Sequence, residues 1–266
     1  MCRLNLKKKA TSTADLKNTL SLIPTDCLGF VRSEMLVSVL QEMYNNSSDK
    51  NAREFRKEAQ EWEQEMGINM QRDIFDVCRG DATAVMMPNN DLRILGMGRL
   101  FSGGALVLGI KDQQQATGTL DRFTQAVQKE KVNVSKSSSN GFQIYEYQQA
   151  NSRYLFSLGL GKQDAILSSS PEVMNLMTGN HPSLTDDASY KRAFAPFDGD
   201  AQPVLFVNIK NISALIEKNL SDSERTDYRE TVYPWTIPLQ SVSAAASGYN
   251  ASKGTLEGGL FICIQK

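Results

Sequence analysis

The last nine residues of the chain repeat a nine-residue stretch from its middle. Gly103-Gly104-Ala105-Leu106-Val107-Leu108-Gly109-Ile110-Lys111 is echoed by Gly258-Gly259-Leu260-Phe261-Ile262-Cys263-Ile264-Gln265-Lys266. Each is a Gly-Gly pair feeding an apolar run, the pattern of a turn followed by a buried strand. A second echo lies upstream of each. Leu28-Gly29-Phe30-Val31 precedes Leu36, Val39 and Leu40, and Val204-Leu205-Phe206-Val207 precedes Ile212, Leu215 and Ile216 at the same offsets. A strand, a helix-spaced apolar face and further strands, met twice, predict an internal strand-helix-strand-strand duplication. That constrains architecture and supplies no site, and function resides in sites.

The expected fold is α+β: antiparallel sheet covered by helices. At 266 residues and 41% hydrophobic content, the chain holds enough apolar material for a core without staples. Its 29 basic and 30 acidic residues give a formal net charge of -1, so no global field draws it onto nucleic acid or an anionic surface. Nucleic acid is therefore not an expected partner. No stretch approaches the roughly 18 consecutive apolar residues of a spanning helix. Met1 to Asn18 carries basic residues without the apolar core of a signal peptide.

Cys2, Cys27, Cys78 and Cys263 form neither a C-x-x-C pair nor a set with zinc-ligand spacing. The last three sit in apolar runs, where a free cysteine acts as a small hydrophobe. Cys2, followed by the polar run Arg3 to Asn18, resembles the mature end of a bacterial lipoprotein. A processed N-terminus there is the expected route to any membrane attachment.

Residues 1–20 read as a polar leader, 21–195 as a first α+β unit and 196–266 as a second, shorter α+β unit packed on the first. In the first, a strand over Cys27 to Ser33 leads to a helix burying Leu36, Val39, Leu40 and Met43. A second helix carries Ala52, Phe55, Ala59, Trp62 and Met66 on one face and ends at Gly67. Strands follow at Ala82 to Met87, Leu92 to Leu100 and Ala105 to Lys111. Asp112 with Gln115 forms a capping box for a helix presenting Ala116, Leu120, Phe123 and Val127. After a turn at Ser137 to Gly141 come strands at Phe142 to Gln148, Tyr154 to Leu160 and Ala165 to Ser168. Ser170 and Pro171 start a short helix that Gly179 closes. His181 to Asp200, with its prolines and acids, reads as a linker. Gly259 to Ile264 reads as a strand buried on both faces, hence central or covered.

This order of pieces resembles a known family. Ile23-Pro24-Thr25-Asp26 before a strand, the Gly80-Asp81 strand start, Val107 to Asp112 leading to a helix with Ala116 and Phe123, Ala165-Ile166-Leu167-Ser168-Ser169-Ser170 before Pro171-Glu172, and Ser183-Leu184 through Phe194 are together similar to the bacterial domain of unknown function 3352. The resemblance covers most of Leu22 to Phe206. It implies an envelope-associated protein, at the periplasmic or outer surface, behind a signal or anchor that this sequence does not display. It brings no activity and no catalytic residue.

Direct inspection for chemistry assigns no catalytic, cofactor-binding or metal residue. His181 sits in a Gly-Asn-His-Pro turn with no nucleophile motif beside it. Glu58, Glu61, Glu63 and Glu65 read as a solvated helix face. Asp186-Asp187 and Asp198-Gly199-Asp200 lack the loop of a calcium hand and read as a helix cap and a turn. Gly96-Met97-Gly98 and Gly103-Gly104 lack the lysine and helix start of a phosphate cradle. Arg79-Gly80-Asp81 is the tripeptide that integrins read, here placed against a strand. No cofactor is expected. The residues point to a non-catalytic protein-interaction or ligand-holding module. The alternatives are a carrier of an apolar ligand, or a hydrolase-like enzyme whose site is scattered in sequence.

Overall fold

The computed structural model describes residues 19–46, 49–88, 103–149, 154–197, 201–236, 238–250 and 255–264. Residues 1–18 of the leader, with Cys2, the expected strand Leu92 to Leu100 with Gly96-Met97-Gly98, and Asp198-Gly199-Asp200 lie outside the described residues; Thr19 and Leu20, the last two of the expected leader, are buried. The chain forms two compact units: the first comprises Ser33–Thr83 and Leu106–Gly179 with Thr19, and the second Leu20–Arg32, part of Ala84–Ala105, and Asn180–Lys266. Every strand pair given below is antiparallel, and helices accompany the strands in both units, an α+β protein.

In the first unit, α1 (Leu36–Asn45), α2 (Lys50–Met66) and a π-helix (Met70–Phe75) precede β2 (Cys78–Met87), whose first residues belong here. Then come β3 (Gly103–Ile110), α3 (Gln113–Lys129), β4 (Val132–Ser139), β5 (Phe142–Gln149), β6 (Tyr154–Leu160), β7 (Asp164–Ser168) and α4 (Pro171–Thr178). The strand order is β2-β3-β7-β6-β5-β4. Capping fixes the helix starts. The Asp49 carboxylate accepts from the amides of Asn51 and Ala52, Asp112 from those of Gln114 and Gln115, and Ser170 from that of Val173. Gly67 closes α2 at φ 63°, a left-handed conformation.

Two sequence expectations are corrected in this unit. β4 was not expected, because Val132 and Val134, which pack against the core, are its only apolar residues; it stands at the end of the strand order, where a largely polar, charged strand discourages further pairing. Its turn to β5 is tight, with Asn140 and Gly141 both at positive φ, 45° and 83°. The buried side of α1 is Val37 and Tyr44, while Leu36, Val39, Leu40 and Met43 are half-buried. The Tyr44 ring meets Phe75 of the π-helix edge-on at 5.7 Å, and this contact sets the helix rotation.

The core of the first unit lies between α3 and the strands. Leu120, Val127, Tyr145, Tyr147 and Leu160 are buried, and Phe123 and Phe156 pack against them. Tyr147 stacks on Phe156 at 4.6 Å between centroids, and its hydroxyl is satisfied by Thr124 at 2.9 Å.

The second unit contains β1 (Gly29–Ser33), a 3-10 turn (Leu184–Asp186), α5 (Ala188–Phe194), β8 (Gln202–Asn208), α6 (Ile209–Asn219), α7 (Asp222–Thr231), α8 (Tyr233–Thr236), β9 (Leu239–Asn250) and β10 (Thr255–Ile264). Its strand order is β10-β9-β8-β1, continued by the last residues of β2. The stretch read as a linker therefore carries the 3-10 turn and α5, with Leu184 and Ala193 fully buried. Gly29 is obligatory where β1 meets β8, because at φ 157° a Cβ there would collide with the Phe206 carbonyl oxygen.

Phe30, Phe206, Ser243 and Phe261 are register partners across the four strands, so they share one face of the sheet. α5 covers this face. The Ser243 hydroxyl donates to the Ala193 carbonyl at 2.6 Å, and the Phe206 ring lies 5.5 Å from Tyr190 and 6.2 Å from Phe194.

The reading of β10 as a strand buried on both faces is overturned. Among the described residues β10 is the outer strand of the unit, paired on one side with β9, and Leu260, Ile262 and Ile264 are 67%, 47% and 62% exposed. An unbroken apolar run reads as buried twice, whereas here only the Phe261 and Cys263 side turns inward.

Candidate functional site

Among the described residues, those singled out in sequence are not brought together. The His181 ring bonds the carbonyl of its neighbour Pro182 at 3.1 Å. Asp187 accepts from the amides of Ser189 and Tyr190, at 2.7 and 2.9 Å, and caps α5. Asp186 is exposed toward Lys191. Gly103 and Gly104 open β3. Glu58, Glu61 and Glu65 are exposed, as a solvated face requires, but Glu63 is not of that kind. Its carboxylate accepts from the Tyr44 hydroxyl at 3.0 and 3.1 Å and from the Met70 amide, tying α1 and α2 to the start of the π-helix. Among the described residues, no group of three His, Cys, Asp or Glu side chains is placed to hold a metal ion.

Two ionic clusters built on buried carboxylates are architectural. The Arg79 guanidinium reaches Asp81 at 3.3 Å and Asp164 at 3.4 Å, and Asp164 also accepts from the Thr19 hydroxyl at 2.8 Å. Both Asp81 and Asp164 are buried, so Arg79-Gly80-Asp81 is an internal ion pair and not an exposed adhesion loop. At the π-helix, the Asp73 carboxylate accepts from Arg72, from Arg122 and from the Asn69 amide. The Arg72 bonds lead in holding its pKa down to about 2, against the burial that opposes ionisation. Burial pushes the thiols of Cys27 and Cys78 up, to about 12 and about 11, and leaves them poor nucleophiles at neutral pH.

The feature that stands apart is the sheet face opposite α5. Val31, Leu205, Ala244 and Leu260 are register partners across β1, β8, β9 and β10, forming an apolar row on that face. A second row, Gly29, Val207, Val242 and Ile262, runs beside it. The two ends of the first row are open to solvent: Val31 is 53% exposed and Leu260 67%. β10 adds an edge beyond which no strand lies among the described residues. Between its two bulges, Gly258 to Cys263 keeps regular register, and Gly258–Ile264 contains no charge and no proline. Natural edge strands are blunted by lysine, proline or distortion, and this one is not blunted within that stretch.

A sequence model of the family described as "Protein of unknown function (DUF3352)" matches residues 3–263, nearly the whole length. The chain belongs to this family. The resemblance read from the short structural motifs is thereby established. No curated protein and no solved structure matches the chain. Membership in DUF3352 comes with no described activity, so the reading of this member rests on its own surface. Linear inspection missed that surface because it exists only in the register that aligns Val31, Leu205, Ala244 and Leu260. The sequence signal was present as the uncharged run Gly258–Ile264. No described helix of this DUF3352 chain is long and apolar enough to cross a membrane.

Proposed function

We propose that the chain is a non-catalytic interaction module, and that it recognises a partner through β10 and the apolar face carrying Val31, Leu205, Ala244 and Leu260. The observation that carries this reading is an edge strand with three exposed large aliphatic side chains, Leu260, Ile262 and Ile264, and an uncharged backbone edge. An edge of this kind offers main-chain hydrogen bonds to an added strand, and its alternating side chains select what is added. Exposed apolar surface in contiguous rows marks interaction sites rather than ordinary solvent-facing positions.

The reading includes an internal duplication. The element order from β1 is strand, helices, strand, strand, and from β8 it is again strand, helices, strand, strand. The two opening strands pair with each other through residues at equivalent places in the echo, Phe30 opposite Phe206. It also places the protein in a bacterial envelope, on the strength of the family resemblance and of Cys2 as an attachment point. The near-balanced charge supports partners other than nucleic acid.

The test is site-specific photo-crosslinking. A photoreactive residue at position 262 of the full chain, incubated in extract of its source cells, is expected to give a discrete macromolecular adduct. The same group at position 58, on the solvated face of α2, is the control. Equal, diffuse labelling at both positions overturns the reading.

A further inference from the structure

We infer that the partner of β10 is a second copy of this chain, joined edge to edge with its own β10 antiparallel. This rests on the interaction surface proposed above and names its occupant.

Charge comes first. Over Gly258–Ile264 the strand offers no charged side chain for a charged partner to match, so the complementary strand is itself uncharged and apolar. β10 meets that requirement. In an antiparallel pair, directly opposed residues share a face, so a twofold axis through Phe261 or Ile262 sets the apolar residues of Leu260–Ile264 against apolar or glycine partners. About Ile262 the pairs are Leu260 with Ile264 and Ile262 with itself on the exposed face, and Phe261 with Cys263 on the other. About Phe261, Leu260 opposes Ile262. Either register satisfies the free main-chain groups of both copies and continues the row Val31–Leu205–Ala244–Leu260 into its symmetry mate. Such an interface is isologous and closed, so it ends at a dimer.

The chain already contains this geometry. β1 and β8 join antiparallel with Phe30 opposite Phe206, an uncharged apolar pair at the centre of a three-residue ladder, and Val31 opposite Leu205 extends the exposed face across the junction. A β10–β10 contact would repeat that arrangement between molecules.

The experiment is the mass of the full chain in solution, by light scattering or sedimentation, from micromolar concentration upward. The wild type is expected at twice the chain mass. Ile262→Lys and Ile262→Glu, each placing like charges near the axis, are each expected at the single-chain mass with unchanged circular dichroism. An equimolar mixture of the two variants is expected to return to the dimer mass, because opposite charges then face each other across the strands. Leu260→Lys, at a more exposed position of the same face, replaces Ile262→Lys if that variant fails to fold. A monomeric wild type, or a dimer that both charge variants leave intact, overturns the inference. A monomeric wild type that still gives a discrete adduct with a different protein from position 262 overturns the second copy alone and leaves the interaction module standing.

Discussion

Phe30 and Phe206 are register partners in the β1–β8 ladder, with ring centroids 6.1 Å apart and both side chains fully buried. They also hold the same place in the sequence echo, third in Leu28-Gly29-Phe30-Val31 and third in Val204-Leu205-Phe206-Val207. An antiparallel ladder has local twofold symmetry about each opposed pair. The two echoed strands therefore meet with one like-placed pair opposed and the flanking residues exchanged about it, and the Tyr190 ring lies near both, at 6.4 and 5.5 Å between centroids.

Truncation at this pair is expected to be costly and coupled. Phe30→Ala and Phe206→Ala should each lower unfolding free energy by about 3–5 kcal/mol, through lost transfer energy and an unfilled cavity. Because the rings share neighbours, the double variant should lose measurably less than the sum. Denaturant unfolding of the three variants checks this, and strict additivity would mean that the rings stabilise the unit independently.

Much of the fold was legible where a local rule decides it. Asp112, Ser170 with Pro171, and Gly67 mark helix ends by their own chemistry, and the structure places the ends there. β4 was illegible because a strand paired on one side has no need of an apolar pattern. The π-helix was illegible because it depends on Glu63 holding the Met70 amide, and nothing in Glu-Gln-Glu distinguishes that glutamate from its solvated neighbours. The candidate site failed for a third reason. Both faces of Leu260 to Ile264 are apolar, so composition cannot say which is covered, and only the pairing order makes β10 an outer strand.

The Arg79 cluster should behave as a buried pair that is costly to break. Arg79→Met leaves the Asp81 and Asp164 carboxylates buried without their cation and is expected to destabilise by about 3–5 kcal/mol. Gly109→Ala should act on the same cluster from the neighbouring strand. A Cβ at 109 would stand against the Asp81 Oδ1 and 2.5 Å from the Arg79 Nε, too close unless both partners of the ion pair shift. Thermal unfolding of both variants checks the pair. A Gly109→Ala protein that melts with the wild type would mean the guanidinium shifts freely.

Asp73 gives a pH dependence with a defined sign. Its carboxyl is held at about 2 in the folded chain, against an ordinary value of 3.8, chiefly by Arg72. A depressed folded-state pKa means stabilisation that is complete above the ordinary value and is lost as pH falls toward about 2. Asp73→Asn should therefore be less stable at neutral pH, and the gap to wild type should shrink between those two values. Parallel unfolding series from neutral pH downward check this, and a gap constant with pH would assign the stabilisation to shape alone.

The two sides of β10 predict opposite responses to the same chemical change. Phe261 is half-buried and lies in the row with Ser243, Phe206 and Phe30 that α5 covers, so Phe261→Asp replaces a large ring by a carboxylate on the covered face. It is expected to cost at least about 2 kcal/mol, through lost apolar burial and partial desolvation of the charge. Leu260, one residue earlier, faces away from α5 and is 67% exposed, so Leu260→Asp is expected to fall within about 0.5 kcal/mol of wild type. Glu58→Gln, on the solvated face of α2, is the neutral control; Glu63 is unsuitable because it holds Tyr44 and Met70. Unfolding midpoints measured where all variants are monomeric decide the matter. Equal losses at 260 and 261 would mean that the Leu260 face is covered within the monomer, which would remove the surface on which both the interaction module and its self-pairing rest.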